Sequence, residues 1–167
     1  TERIHNYFFA KAMDHVRPGG LVVFITSRYT LDSTKNARVR RYLTDRADFL
    51  GAVRLPNTAF DKSAKTEVVT DLIVLRRRAE GEDESEQNAL FREAVEHPTL
   101  KAEYDSRGKA TRFFRSSWYD THPELIVGTE SKEGTMYGGG EYTVTAPRED
   151  VLAAFGKKLE QVLPPGS

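Results

Sequence analysis

The stretch Phe49-Leu50-Gly51-Ala52-Val53-Arg54-Leu55, followed by Pro56-Asn57, decides the fold. Its apolar residues predict a β-strand, and Pro56 ends that strand because proline cannot donate a ladder hydrogen bond. A second apolar run, Val68–Leu75, follows a polar loop of 12 residues. The loop has no helical pattern and is short for a parallel crossover. The two strands are therefore predicted to be antiparallel neighbours.

The loop after the first strand carries one large aromatic residue, Phe60, among polar neighbours. Loops held on a rigid sheet are common places for binding residues. Two interpretations stay open from the residues alone. Phe60 either contacts a ligand or packs back into the core.

Upstream of this pair, the sequence predicts a helix and then a strand. The helix, Ile4–Val16, places Ile4, Phe8, Ala12 and Val16 on one face, with Phe9 and Met13 beside them. Arg17-Pro18-Gly19-Gly20 ends it. Leu21–Ile25 is a short continuous apolar run, typical of a central strand that is covered on both faces. This arrangement predicts an α/β fold.

The residues after that strand are polar, and ligands bind at the carboxyl ends of strands in open α/β sheets. Asp32-Ser33-Thr34 supplies N-cap candidates for a helix that runs to about Ala47. The helix carries Arg38, Arg40 and Arg41, which either meet phosphates or form a solvated face.

The second half of the chain is less regular. The acidic run Ala79–Asn88 predicts a flexible linker between residues 1–78 and 89–167. Residues 89–167 are interpreted as a small appended region with a short helix, an aromatic cluster and a long C-terminal helix. The predicted features are a helix at Ala89–His97, the cluster Phe113, Phe114, Trp118 and Tyr119, a glycine turn into a strand at Met136–Val144, and a helix at Arg148–Leu163.

The charge is zero overall but unevenly placed. Residues 1–78 hold 15 Lys/Arg against 8 Asp/Glu, whereas residues 79–167 hold 10 against 17. This asymmetry indicates either a face that meets a polyanion or chance segregation of surface charge. Cysteine is absent, which excludes disulfides and cysteine nucleophiles and fits a reducing cytoplasm. No apolar run reaches the ~20 residues of a membrane span. The start at Thr1 is interpreted as a cut inside a larger chain.

The sequence contains few patterns that indicate a complete catalytic site. No pair of carboxylates has an apolar setting, and the four histidines, at positions 5, 15, 97 and 122, lack the spacing of a metal site. Gly138-Gly139-Gly140 lacks the strand-to-helix context of a phosphate loop and is interpreted as a turn.

Several ordered blocks nevertheless resemble the adenine-specific N6 DNA methyltransferases. The resemblance is strongest to the methylase domains of large bacterial and phage-related proteins that often also carry a helicase. The matching blocks are residues 4–12, 17–20, 24–32, 46–60, 66–71, 119–128 and 136–138. The resemblance implies a Rossmann-like, S-adenosylmethionine-dependent fold of which this chain is the second half. Its strands five, six and seven would be Leu21–Thr26, Phe49–Leu55 and Val68–Leu75, in the order 5-7-6 with a terminal antiparallel hairpin, followed by a small α+β appendage.

The sequence also departs from that family. The Asn/Asp-Pro-Pro-Tyr/Phe motif, the glycine-rich cofactor loop and the acidic ribose-binding residue do not occur in it. No catalytic, cofactor-binding or metal-binding residue is therefore assigned. The isolated chain is expected to be inactive, and S-adenosylmethionine is expected to be bound mainly by residues outside it.

What the resemblance implies for this chain is the side that faces the target base and the DNA. A base methylated at an exocyclic nitrogen must be flipped out of the duplex and held by stacking. Phe60 is the candidate stacking residue, with Asn57 and Thr58 as polar neighbours. Arg28 is a candidate phosphate contact and Tyr29 a candidate packing or stacking residue, both expected to face the same crevice.

The leading hypothesis is thus that the chain is part of an S-adenosylmethionine-dependent DNA adenine N6-methyltransferase. This enzyme would act in restriction-modification or in phage and mobile-element defence. Expected partners are DNA and the missing N-terminal half, on the same chain or another, in the cytoplasm and without a membrane. Self-association is a further expectation, because a three-stranded fragment leaves one sheet flank unpaired. The alternatives are a non-catalytic DNA-binding or assembly module and an unrelated nucleotide-binding α/β domain.

Overall fold

The computed structural model of the 167-residue chain describes residues 2–60, 68–100, 103–104, 107–134 and 140–166. The described helices are α1 Glu2–His15, α2 Tyr29–Asp32, α3 Ala37–Thr44, α4 Asn88–Arg92, α5 Ser117–Thr121 and α6 Arg148–Val162. The described strands are β1 Leu21–Ser27, β2 Ala47–Leu55, β3 Thr70–Arg77, β4 Ala94–Glu96, β5 Glu103–Tyr104, β6 Ala110–Thr111, β7 Phe114–Ser116, β8 Thr129–Gly134 and β9 Glu141–Thr145. No helix among these residues is long and apolar enough to cross a membrane.

The main sheet has the strand order β1-β3-β2, and β3 is antiparallel to both neighbours. The predicted antiparallel pairing of β2 with β3 is therefore confirmed. The order also matches the 5-7-6 arrangement that the resemblance implied. The predicted α/β fold class, with a sheet that ends in an antiparallel hairpin and an appended α+β region, is confirmed. Smaller antiparallel pairs, β4–β7, β5–β6 and β8–β9, belong to the appended region.

Strand β1 differs from its prediction. Leu21, Val23 and Ile25 are 37%, 50% and 57% exposed, so the strand is covered on one face only. Its other face is packed against α1, where the rings of Phe9 and Phe24 lie 4.6 Å apart. The prediction of a strand buried on both faces was wrong because no described element of this chain packs on residues 21, 23 and 25.

Helix α1 forms where the apolar spacing predicts it, but its buried face is rotated by one residue. Phe9 and Met13 are buried, whereas Phe8, predicted for the core face, is 61% exposed. Positions 9 and 13 are four residues apart and therefore share one side of the helix. The contact of Phe9 with the sheet fixes that side inward.

The helix predicted to begin at Asp32-Ser33-Thr34 and to run to about Ala47 is shorter than predicted, since α3 covers Ala37–Thr44 and Ala47 begins β2. The chain forms the short helix α2, then a 3-10 turn at Thr34–Asn36, and then α3. The hydroxyl of Ser33 accepts a hydrogen bond from the backbone N–H of Lys35 at 3.3 Å, which caps the 3-10 turn.

Arg40 lies neither on a solvated helix face nor at a surface that could meet phosphates, the two interpretations that the sequence left open. It is 1% exposed, and its guanidinium donates to the carbonyl oxygens of Thr30, Ser33 and Arg92 at 2.8–3.1 Å. Burial lowers the pKa of Arg40 to about 10, although the negative charge of Asp32 opposes this shift. Arg40 thus joins α3 to the end of α2 and to α4.

The second half of the chain packs on the sheet. The predicted helix at residues 89–97 ends at Arg92 and is followed by β4, whereas the C-terminal helix α6 matches its prediction closely. The ring of Trp118 lies 4.9 Å from that of Phe49, and its indole N–H donates to the carbonyl of Ala52 at 2.9 Å. The aromatic residues thus belong to the core shared with β2.

The acidic segment makes hydrogen bonds to β2. The amide group of Gln87 donates to the carbonyl oxygens of Phe49 and Leu50, and the side-chain oxygen of Asn88 accepts from the N–H of Phe49 at 2.7 Å. The division of the chain into residues 1–78, 79–88 and 89–167 stays a prediction.

Candidate functional site

The carboxyl ends of β1 and β2 lie at the same edge of the sheet. Both strands are antiparallel to β3, and Ser27 and Leu55 both pair with Thr70. Two strand spacings separate them, or about 10 Å. The candidate residues that follow β1 and those that follow β2 are therefore brought to one edge.

A tight turn follows β2. The N–H of Asn57 donates to the carbonyl of Val144 in β9 at 2.9 Å, and the N–H of Ala59 donates to the carbonyl of Pro56 at 3.1 Å. The first bond attaches the turn to the appended region. The predicted end of the strand at Pro56 is confirmed.

A groove of about 460 Å³ opens beside this turn. Phe60 lines it and is 36% exposed, so its ring faces the groove instead of the core. The other lining residues come from the sheet, the turn and α6: Ile25, Leu55, Thr58, Ala59, Arg148, Val151, Leu152 and Phe155. The groove is largely apolar, which is the ordinary character of a site for a flat ligand.

Two polar atoms in the turn have unmet hydrogen-bonding capacity. Asn57 Oδ1 and Thr58 Oγ1 are buried atoms without a hydrogen-bond partner among the residues that the structure describes. A buried polar group in that condition costs about 1–3 kcal/mol. Since Thr58 lines the groove, a ligand there can supply its partner.

Arg28 and Tyr29 line a different, smaller cavity of about 160 Å³. Arg28 is only 6% exposed, and its guanidinium lies 4.4 Å from the ring centre of Tyr29 and 4.9 Å from that of Tyr142. It also pairs with Asp32 at 3.4 Å. Tyr29 is 44% exposed. The five candidate residues thus share one edge of the sheet. Thr58 and Phe60 line one cavity, Arg28 and Tyr29 line the other, and Asn57 is not among the lining residues of either.

A buried ionic cluster that the sequence interpretation missed lies below this edge. The guanidinium of Arg54 donates to both carboxylate oxygens of Asp71, at 2.8 and 2.9 Å, and to Asp32 at 2.9 Å. Tyr119 donates its hydroxyl proton to Asp71 at 2.8 Å. One signal was present in the sequence: a cation and an anion, Arg54 and Asp71, each sit inside an apolar strand of a predicted pair.

The cluster is closed to solvent, which decides its role. Arg54 and Asp71 are both 0% exposed. Burial alone would lower the pKa of Arg54, but the carboxylates of Asp32 and Asp71 raise it well above its ordinary value. Burial and the neighbouring carboxylate raise the pKa of Tyr119 well above its usual range. Burial also raises the pKa of the Asp71 carboxyl, and the positive charge of Arg54 opposes that shift. Near neutral pH, Arg54 therefore stays charged and Tyr119 stays neutral, and the cluster serves to position the edge of the sheet.

The cluster continues into the appended region through Tyr142. Arg54 donates to the hydroxyl oxygen of Tyr142 at 3.1 Å, and that hydroxyl donates to Glu130 at 2.7 Å. Glu130 also contacts Arg115 at 2.5 Å and His97 at 3.2 Å. The carboxyl ends of the strands and the appended region are therefore held by one continuous polar network.

The described residues contain no group of three or more His, Asp or Glu side chains that could hold a metal ion. The groove beside Phe60 also lacks an acidic residue among those that line it. A ribose diol is commonly bound by such a carboxylate. The residues that line this groove therefore do not fit the nucleoside part of S-adenosylmethionine.

Comparison with known proteins gives partial matches. No protein-family model matches the chain. A curated relative, "Defense against restriction protein B" of Escherichia phage P1, is 33% identical over 72 residues, which are 43% of this chain and 3% of that protein. A crystal structure from Listeria monocytogenes, of a protein assigned to the class I S-adenosylmethionine-dependent methyltransferases, aligns with 49% of this chain and 24% of its own, with 20% identity and a TM-score of 0.41. The chain thus spans a small part of the length of both.

Proposed function

We propose that this chain is the DNA-facing part of an S-adenosylmethionine-dependent DNA adenine N6-methyltransferase. The observation that carries the proposal is the groove beside the turn after β2, with the exposed ring of Phe60 and the unpartnered hydroxyl of Thr58. The sheet order and the ordered sequence blocks support the same class of enzyme.

The chemistry proposed for this chain is binding and orientation of the target base. A flipped adenine has two apolar faces and a polar edge, and an aromatic ring stacks on such a face with about 1–3 kcal/mol. Phe60 supplies that ring. The hydroxyl oxygen of Thr58 accepts a hydrogen bond from the edge of the base. This buried oxygen then has a partner that the described residues do not supply.

Arg28 has a different role in this proposal from the one expected from sequence. Its guanidinium is buried between aromatic rings and paired with Asp32, so it supports the edge of the sheet. Tyr29 is exposed at the same edge and stays a candidate for contact with DNA.

The methyl donor belongs to another part of the protein in this proposal. S-adenosylmethionine supplies the methyl group, and the cofactor and catalytic motifs that hold it in related enzymes do not occur in these 167 residues. The partner is thus the methyltransferase half that carries those motifs, in the cytoplasm where DNA is found. The name of the phage P1 relative suggests a role in defence against restriction.

The proposal is tested by methyl transfer. The chain is combined with the half that carries the Asn-Pro-Pro motif, and transfer of labelled methyl from S-adenosylmethionine to duplex DNA is measured, with N6-methyladenine identified after digestion. The combined protein should form N6-methyladenine, whereas the 167-residue chain alone should not. Methylation of cytosine, or no methylation by the combined protein, would overturn the proposal.

A second candidate function is a non-catalytic DNA-binding or assembly module. The exposed apolar face of β1 favours it, because such a face marks an interface. The same experiment separates the two. A combined protein that binds DNA but transfers no methyl group supports the module.

A further inference from the structure

The exposed residues of β1 form an apolar strip. Leu21, Val23 and Ile25 alternate with Val22, Phe24 and Thr26, which face the opposite side of the sheet and are buried or half-buried. Three consecutive outward positions of one strand are thus apolar. Single exposed apolar residues are common, but a continuous strip of this kind marks a surface that a partner covers.

Helix α6 packs on the same face of the sheet at β2. A side chain added at Gly51 of β2 would meet Val162 of α6 at 2.5 Å, which shows how closely the helix lies on that strand. Val23 and Gly51 are both register partners of Val74, and β3 lies between them. Their side chains therefore belong to one face, and α6 leaves the β1 part of this face open.

The width of the open part is that of one helix. In the order β1-β3-β2, the axis of β1 lies two strand spacings from β2, or about 10 Å. Helices packed side by side have axes about 8–10 Å apart. A helix laid beside α6 would therefore lie directly over β1, and Leu152 of α6, which is 80% exposed, would be within its reach.

We infer that an amphipathic helix of the cofactor-carrying methyltransferase half docks along β1 beside α6, on Val23, Ile25 and Leu152. The identity of the partner rests on the proposed function, whereas the shape of the occupant follows from the surface. β1 has 7 residues and is about 23 Å long, a length that about 15 helical residues match. The docked helix presents apolar residues every three or four positions.

A second copy of this chain fits the surface less well. Among the described residues, β1 pairs only with β3, so its other edge can accept a strand from a second copy. Edge pairing extends the sheet sideways, and side chains stand perpendicular to a sheet. Val23 and Ile25 would remain exposed in such a dimer.

Docking would also complete the groove proposed for the target base. Ile25 lies at the floor of that groove, together with Leu55, and the turn and α6 supply other lining residues. A helix on Ile25 adds a further wall beside Phe60. The groove is thus deeper when both halves are joined. This agrees with the expectation that the isolated chain is inactive.

The absence of cysteine makes a clean experiment possible. Val23→Cys places a thiol on the strip, and Lys157→Cys places one on an exposed position of α6. The reaction rate of each thiol with a maleimide is measured in the 167-residue chain and after the partner half is added. With the partner at about ten times its Kd, Val23→Cys should react about tenfold more slowly, and Lys157→Cys should be unchanged.

A cross-link identifies the occupant as a helix. Benzophenone maleimide attached at Val23→Cys should join partner residues that are three or four positions apart. Unprotected Val23→Cys, or cross-links at alternate positions, would overturn the inference. Protection in the isolated chain that grows with its concentration would indicate a second copy and would overturn it as well.

Methyl transfer is measured in the same samples, so the two failures are distinguishable. Protection of Val23→Cys without methylation leaves the docking surface standing and overturns the proposed function. Methylation without protection leaves the function standing and overturns the docking.

Discussion

The guanidinium of Arg54 donates two parallel hydrogen bonds to the carboxylate of Asp71, and neither side chain is exposed to solvent. Arg54 is the penultimate residue of β2, and Asp71 is the second residue of β3. The pair therefore lies directly below the turn that carries Phe60. Asp32, at the end of α2, shares the same guanidinium.

Removing the cation from this cluster should be strongly destabilising. Arg54→Met would leave the buried carboxylate of Asp71 without its charge partner and would leave Asp32 with Arg28 alone. Such a change costs about 3–5 kcal/mol. The free energy of unfolding, measured by urea denaturation, should fall by that amount. The Arg54→Lys protein should have a free energy of unfolding between those of the wild-type and Arg54→Met proteins, because lysine keeps the charge but cannot make the bidentate contact.

The matched control is Glu82→Gln. Glu82 contacts Arg76 at 3.3 Å on the surface, where water screens the pair, so its removal should leave the midpoint of urea unfolding unchanged. An Arg54→Met protein as stable as the Glu82→Gln protein would contradict the role given to the buried cluster.

The sequence predicted local features of this chain well. The apolar runs around residues 21–27, 47–55 and 70–77 predicted three strands, and the short loop predicted the antiparallel pairing. Whether another element packs on a given face of a strand depends on the tertiary structure, and an apolar run does not show it. Leu21–Ile25 is equally apolar whether this chain or a partner covers it, and this explains the error on β1.

The polar interior was harder to predict because its partners are distant along the chain. Arginine is mostly a surface residue, so both interpretations of Arg40, a phosphate contact and a solvated face, placed it on the surface. The carbonyl of Arg92 and the hydroxyl of Tyr142, which receive hydrogen bonds from Arg40 and Arg54, lie 52 and 88 residues away. Only the folded chain brings these groups together.

Gly51 is predicted to be intolerant of a side chain. Its φ of +151° is unusual for other residues, and a Cβ there would lie 2.5 Å from Val162 and 3.1 Å from Trp118. Gly51→Ala should lower the free energy of unfolding by about 1–3 kcal/mol through overpacking. Adding Val162→Ala should recover part of the loss, as measured by thermal or urea unfolding.

Gly156 provides the control for that substitution. It lies inside α6, and apart from its chain neighbours and the backbone of its own helix, no atom of the described residues lies within 4 Å of an added Cβ. Gly156→Ala should therefore stabilise the protein by about 0.5–1 kcal/mol, because alanine loses less backbone entropy in a helix. Equal destabilisation by both substitutions would show that contact with α6 is not the cause at Gly51.

His97 should make stability depend on pH. Its Nδ1 accepts the N–H groups of Thr99 and Leu100, at 3.2 and 3.0 Å, and its Nε2 lies 3.2 Å from Glu130. Burial lowers the pKa of His97 below its ordinary 6.5, and the charge of Arg115 acts in the same direction, while Glu130 and Asp120 oppose it.

The sign follows from the two protonation states. The unfolded chain takes up the proton at a higher pH than the folded chain, so the contribution of His97 is present above pH 6.5 and is lost as the pH falls below it. The free energy of unfolding should therefore rise as the pH is raised from the acid side toward 6.5. His97→Asn, which keeps an acceptor near the position of Nδ1, should flatten this rise in urea titrations. An unchanged slope would show that His97 does not cause it.

Thr58 should affect the proposed enzyme through its hydroxyl group alone. Thr58→Val keeps the shape of the side chain and removes Oγ1, the buried atom without a partner. If the base edge supplies that partner, kcat/KM for methyl transfer should fall about two- to tenfold, as expected for a lost hydrogen bond of 0.5–1.5 kcal/mol. Unfolding in urea should show no loss of stability, since Oγ1 makes no hydrogen bond among the residues that the structure describes. Unchanged kcat/KM would remove Thr58 from the base contact.

Phe60 should have the larger effect on activity. Phe60→Ala removes the ring that lines the groove, and a lost base–aromatic stack of about 1–3 kcal/mol lowers kcat/KM for methyl transfer roughly 5- to 150-fold. Phe60→Tyr keeps a ring and should retain most of the activity. Phe8→Ala is the matched control, because Phe8 is also exposed but lies on α1, outside the groove. Full activity of Phe60→Ala in the joined protein, or an equal loss in Phe8→Ala, would show that the ring of Phe60 does not hold the base.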